Sequence, residues 1–134
     1  MLSSRKNYTT PIPPIVIPPI VIPPIIYQTW HTKVLPPLML NAMLRIKQTN
    51  PRFQHYLFDL NECREFIRTH FDARVLNAYV KLIPLAYKAD LWRYCVLYKK
   101  GGIYLDVKYV PVNGFNMANL LEKEHWVLDL DKNG

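Results

Sequence analysis

Residues 88–108, KADLWRYCVLYKKGGIYLDVK, decide the fold. The apolar-rich run bearing Asp90 and Arg93 predicts a helix over about 85–100. Pro84 is placed to open it, and Lys99-Lys100 followed by Gly101 gives it a basic last turn and a left-handed cap. Ile103-Tyr104-Leu105 then predicts a short apolar strand ending on Asp106, with an extension to Val110 before Pro111 left open. A helix, a glycine turn and a strand that delivers a carboxylate to its C-terminal end are how open α/β sheets build a site for a phosphorylated ligand.

Upstream, Ile25-Ile26-Tyr27-Gln28-Thr29-Trp30 is a short apolar run with a polar end, the pattern of a buried parallel strand that opens on a site. Pro36-Pro37 start a helix over about 37–48, with Leu38, Met39, Ala42, Met43 and Ile46 on one face, and Asn50-Pro51 stops it. Phe53 to Asp59 predicts a second strand. Asp59 and Glu62 form a capping box for the next helix, whose stripe is Leu60, Cys63, Phe66, Ile67 and Phe71. A short helix follows at 73–82, another is expected at 115–123, and His125 to Asp129 predicts a fourth strand. The alternation is α/β with a mainly parallel sheet.

Ahead of the first strand stand three pentapeptide copies, from Pro13-Pro14-Ile15-Val16-Ile17 to Pro23-Pro24-Ile25-Ile26-Tyr27. Paired prolines hold the backbone extended and withhold ladder donors. Residues 1–22 therefore read as a low-complexity arm, either a docking peptide or a slippage product of the strand's lead-in, and 23–134 as one domain.

Composition narrows the function classes. The net charge of +7 suits anionic partners, but the 17 Lys and Arg are scattered, so no nucleic-acid footprint is expected. Cys63 and Cys95 fall on helical apolar registers and read as reduced core thiols. His31, His55, His70 and His125 have no partner at metal-ligand spacing. Seven prolines in 11–26 break the longest apolar stretch, so neither a transmembrane segment nor a signal peptide is expected, and a cytoplasmic chain is.

Asp90 and Arg93, three apart, share a helix face as an ion pair or as a joint ligand contact. Asp106 could hold a divalent cation, and Trp30 could stack on a base or simply fill core. Together the strand ending at Trp30, Asn50-Pro51, Ala89-Asp90-Leu91-Trp92-Arg93-Tyr94 and Gly101-Gly102-Ile103-Tyr104-Leu105-Asp106 resemble the sugar-binding region with a DXD motif of a family of retaining glycosyltransferases. That family includes fungal initiating mannosyltransferases and bacterial capsule enzymes, and the pattern is distantly similar to the glucosylating domain of clostridial toxins.

The resemblance implies the N-terminal, donor-binding half of a GT-A, Rossmann-like fold, with a nucleotide-diphosphate sugar as partner and a glycan, lipid or protein acceptor. It implies Trp30 on the nucleobase, Asp90 on a ribose or sugar hydroxyl, Arg93 near the sugar or diphosphate, and Tyr104 bordering the diphosphate. Asp106 would be the first DXD carboxylate, a ligand to manganese or magnesium. Lys108 stands where the second carboxylate belongs, which removes an oxygen ligand and adds a positive charge. Either Lys108 neutralises the diphosphate itself, or Asp129 or Asp131 supplies the carboxylate. The acceptor pocket of such domains lies well beyond the DXD strand. The chain is thus expected to hold the donor half, as an enzyme or as a non-catalytic module of the same fold, with an exposed sheet edge open to self-association.

Overall fold

The computed structural model describes residues 21–126. Its strands are β1 (Ile25–Thr29), β2 (Gln54–Phe58) and β3 (Ile103–Tyr104), and its helices α1 (Pro37–Thr49), α2 (Leu60–His70), α3 (Ala73–Lys81) and α4 (Leu85–Lys100). A 3-10 turn, Met117–Leu120, takes the place of the longer helix expected at 115–123. The expected α/β class with a parallel sheet stands.

The sheet order is β2-β1-β3 with every pairing parallel. Ile26 sits between His55 and Ile103, and Tyr27 between Tyr56 and Tyr104. Strand alternation sorts the core into two layers. On one side Tyr27, Trp92, Cys63, Ile67, Tyr79, Cys95 and Val96 pack beneath α2, α3 and α4. On the other, Ile26 meets Ile46 of α1 and Met117, while Leu35, Met43 and Val107 form an adjoining cluster. Among the described residues β2 and β3 each keep one unpaired edge.

Local chemistry sets the element ends. The Asp59 carboxylate accepts from Glu62 N at 2.9 Å and the Glu62 carboxylate from Asp59 N at 3.2 Å, the expected capping box. Asp72 caps α3 through the amides of Arg74 and Val75. Buried Asn50 closes α1 by donating to Ile46 O at 2.9 Å and accepts from Met117 N at 2.7 Å, which fastens the 3-10 turn to that layer. Gly101, at φ 70°, ends α4, and Gly102 follows at φ 98°.

The third strand is shorter than expected. Leu105 N still donates to Tyr27 O at 3.0 Å, but the chain then turns, with Tyr109 N donating to Asp106 O at 2.9 Å. The Asp106 carboxylate accepts Lys108 N at 2.9 Å, and this side-chain turn competes with any further ladder. His125 and Trp126 belong to no strand. The rest of the expected fourth strand, with Asp129 and Asp131, lies outside the described residues, as do the proline repeats before Val21. Among the described residues no helix is long and apolar enough to cross a membrane.

Candidate functional site

A cleft of about 300 Å³ opens at the C-terminal end of β1 and β3. Thr29 and Trp30 from β1, Tyr104 from β3, and Asp106 and Lys108 from the turn beyond it contribute to its wall. Leu85, Ala86 and Ala89 bring the first turns of α4 to the cleft, and Leu60 and Cys63 bring those of α2. This is the crevice beyond the carboxyl ends of parallel strands in which α/β proteins bind ligands.

Two helix N-termini therefore face the cleft, and they differ. The N-terminus of α2 is satisfied by its capping box, whereas α4 begins at Pro84 with neither a side-chain cap nor an acidic residue in its first turn. The positive end of α4 thus stays uncompensated beside the cleft, an arrangement that favours an anion.

The turn from Asp106 to Lys108 is held from three directions. Gln28, fully buried in β1, donates its side-chain amide to Asp106 O at 3.2 Å. The carboxylate of Asp106 takes Lys108 N, and between them Val107, 3% exposed, is locked beside Leu35 and Met43. The ends of the turn face the cleft while its middle is core.

Beneath the cleft, Thr29 Oγ1 donates to Phe58 O at 2.9 Å and lies 3.3 Å from Cys63 Sγ. Burial pushes the Cys63 thiol up to about 12, and it raises Tyr79 as well. Both are protonated polar wall groups, with no nucleophilic thiolate among them. Burial also raises Tyr104 to about 12, with Asp106 adding to the effect and Arg93 opposing it.

Four of the six expected site residues, Trp30, Tyr104, Asp106 and Lys108, line this one cleft. Trp30 also packs against the cluster of Leu35, Met43 and Val107, with its ring 4.6 Å from that of His31, so it is core and wall at once. Asp90 and Arg93 are not in the wall. They pair with each other at 3.3 Å along α4, Asp90 exposed and Arg93 half-buried, and the Arg93 guanidinium lies 5.5 Å from the Tyr104 ring centre, one side chain removed from the cleft.

Sequence reasoning missed Thr29, His31, Cys63, Tyr79 and the small residues Ala86 and Ala89. Cys63 carried the clearest signal: its place in the first turn of a capped helix puts it at the sheet's C-terminal end. His55, which had no sequence partner, lies 2.6 Å from Gln28 Oε1.

Two carboxylates and open oxygen positions would suit manganese or magnesium. The described residues do not supply them. One oxygen of Asp106 is already engaged by Lys108 N, the next polar wall residue is cationic, and no three His, Cys, Asp or Glu side chains gather among the described residues.

Comparison with known proteins gives this geometry its context. Residues 36–127 match the family described as the glycosyltransferase sugar-binding region containing DXD motif, a span that holds Asp90, Arg93, Tyr104, Asp106 and Lys108 and begins after Trp30. The chain is 37% identical over 82 residues to inositol phosphoceramide mannosyltransferase 3 of Schizosaccharomyces pombe, covering 61% of this chain and 23% of that protein. It is 30% identical over 111 residues to the initiation-specific alpha-1,6-mannosyltransferase of Candida albicans, covering 75% of this chain and 29% of that one. An uncharacterized glycosyltransferase of Acanthamoeba polyphaga mimivirus is 38% identical over 61 residues, 46% of this chain and 24% of that protein. The chain thus spans less than a third of the length of these relatives. No solved structure matches it. With its parallel sheet of a GT-A N-terminal half and its match over residues 36–127, the chain belongs to the glycosyltransferase family defined by the DXD-containing sugar-binding region.

Proposed function

We propose that the chain binds the donor of a glycosyl transfer, a nucleotide-diphosphate sugar, and that it serves a hexosyltransferase acting with retention. The observation that carries this reading is the convergence of Trp30, Tyr104, Asp106 and Lys108 on one cleft at the carboxyl end of a parallel sheet. The uncompensated N-terminus of α4 and the Lys108 ammonium suit a diphosphate. Trp30 offers its ring to the base. Tyr104 borders the diphosphate, and Arg93 behind it adds positive field toward the same place. Asp90 takes a ribose or sugar hydroxyl, provided its pair with Arg93 opens. Since the relatives bear the names of mannosyltransferases, guanosine-diphosphate mannose is the first donor to test.

The residues contribute by stabilising the leaving group, because charge grows on the diphosphate as the glycosidic bond breaks. A cleft of about 300 Å³ is at the low end of ligand sites and encloses only part of such a donor. The remainder, and the acceptor, fall to structure outside this cleft.

A second reading, the same fold binding donor without turnover, is favoured by Lys108 at the second DXD position. Calorimetric titration with guanosine-diphosphate mannose and uridine-diphosphate glucose, followed by an assay for release of free sugar, separates the two. Binding with turnover supports the enzyme, binding alone supports the non-catalytic form, and the absence of binding to either donor overturns the donor site.

A further inference from the structure

We propose that this donor site balances the diphosphate charge with the Lys108 ammonium instead of a divalent cation on Asp106, so that donor binding is independent of metal. The proposal rests on the donor-site reading above.

The Asp106 turn is unsuited to a hard cation. Magnesium and manganese need about six oxygen ligands in near-octahedral geometry, some of them anionic. Asp106 commits Oδ1 to Lys108 N at 2.9 Å, and its carbonyl oxygen to the Gln28 amide at 3.2 Å and Tyr109 N at 2.9 Å. Of its two carboxylate oxygens, only Oδ2 is free of a hydrogen bond among the described residues. The partner carboxylate of a DXD pair is replaced by a side chain that cannot ligate while protonated and that repels any cation held two residues away. No other cluster of ligating side chains exists among the described residues to make up the set.

The same turn is well built to present an ammonium. Gln28 fixes its first residue, burial of Val107 fixes its second, and the Asp106 carboxylate holds the amide of its third. Lys108 is exposed, lines the cleft and makes no salt bridge among the described residues. Asp106 acts here as a positioning residue for Lys108, with its second oxygen available to a donor hydroxyl. Lysine binds phosphate as a point charge.

The test is titration of the full chain with guanosine-diphosphate mannose and uridine-diphosphate glucose, in EDTA and in manganese, with far-ultraviolet circular dichroism to confirm folding. The expected wild-type dissociation constant changes less than about threefold between the two conditions, since the compensating charge is covalently part of the chain. Lys108→Ala is expected to weaken binding at least about tenfold in EDTA, the loss of one charge-assisted contact, and Lys108→Arg to retain most of it. Lys108→Asp restores the two-carboxylate pattern and is expected to bind only with manganese.

Wild-type binding that requires manganese overturns the proposal and leaves the donor site intact. If that manganese-supported binding is lost in Asp129→Asn or Asp131→Asn, those carboxylates complete a metal site. A folded chain that binds neither donor in either condition overturns the donor site itself, and this inference with it.

Discussion

Gln28 donates its side-chain amide to the backbone carbonyl of Asp106, 3.2 Å away, across the join of β1 and β3. The carbonyl can only accept, so the amide nitrogen must face it and Oε1 must face the other way. There it meets His55 Nε2 at 2.6 Å, which therefore carries the proton. One side chain thus ties all three parallel strands together and sets the height of Asp106 above the cleft.

Replacing Gln28 by leucine keeps the volume and removes both bonds. A half-buried His55 N–H loses its partner, and the Asp106 carbonyl keeps only Tyr109 N. The expected cost is about 2 kcal/mol in urea unfolding. Donor affinity should fall further than stability explains, because the turn loses one of its fixings.

The His55 environment predicts a pH dependence. Burial lowers this imidazole to about 4, with nearby Lys47 assisting. Because the unfolded chain binds the proton more readily, the stabilisation is complete above about 6.5 and is lost as pH falls from there toward 4. The ring is only partly buried, so after allowance for solvent screening the loss between pH 7 and 4.5 is on the order of 1 kcal/mol. Unfolding midpoints measured across that range should slope accordingly, and the slope should flatten in His55→Asn.

The two glycines after α4 should differ in tolerance. A Cβ on Gly102 would stand 2.8 Å from the carbonyl oxygen of Ile25, backbone that cannot retreat without breaking β1, and φ there is 98°. One on Gly101 would meet only Pro23 side-chain atoms at 3.1 and 3.2 Å. Gly102→Ala is expected to cost about 3 kcal/mol and Gly101→Ala about 1 kcal/mol, read from thermal unfolding. Equal costs would contradict the close approach of β3 to β1.

Asn50→Ala removes the acceptor for Met117 N and one donor to Ile46 O, both buried. About 2 kcal/mol of destabilisation is expected. Proteolysis should then begin near residues 113–121, the segment that this side chain pins to α1.

Periodicity and capping chemistry made most of this fold readable. Asp59 with Glu62, Pro84 with Gly101, and Asn50-Pro51 are local signals whose energetics depend on few distant contacts, and the helices they bound appear where expected. The end of β3 was not readable in the same way. It depends on Gln28, 78 residues earlier, capturing the Asp106 carbonyl, and on an acid that bonds its own backbone. In the site, Tyr104, Asp106 and Lys108 were legible because a strand end and a turn lie together in sequence. Cys63 and Tyr79 joined the same wall from two other helices, a consequence of tertiary packing that spacing does not encode. Asp90 and Arg93 were placed on the correct helix, while their offset from the cleft follows from how α4 is rotated on the sheet.

The brevity of β3 has a dynamic consequence. Among the described residues Ile103, Tyr104, the amide of Leu105 and the Gln28 bond to the Asp106 carbonyl secure it to β1, while five register pairs join β1 to β2. Detaching this edge breaks few backbone bonds, so it is an opening that requires less free energy than global unfolding. Yet it carries away Tyr104, Asp106 and Lys108 together. Amide hydrogens of 103–109 should exchange faster than those of β1 and α2, and a bound donor should slow them selectively. The cleft is then populated as a whole or lost as a whole, and its affinity includes the work of holding one short strand in register.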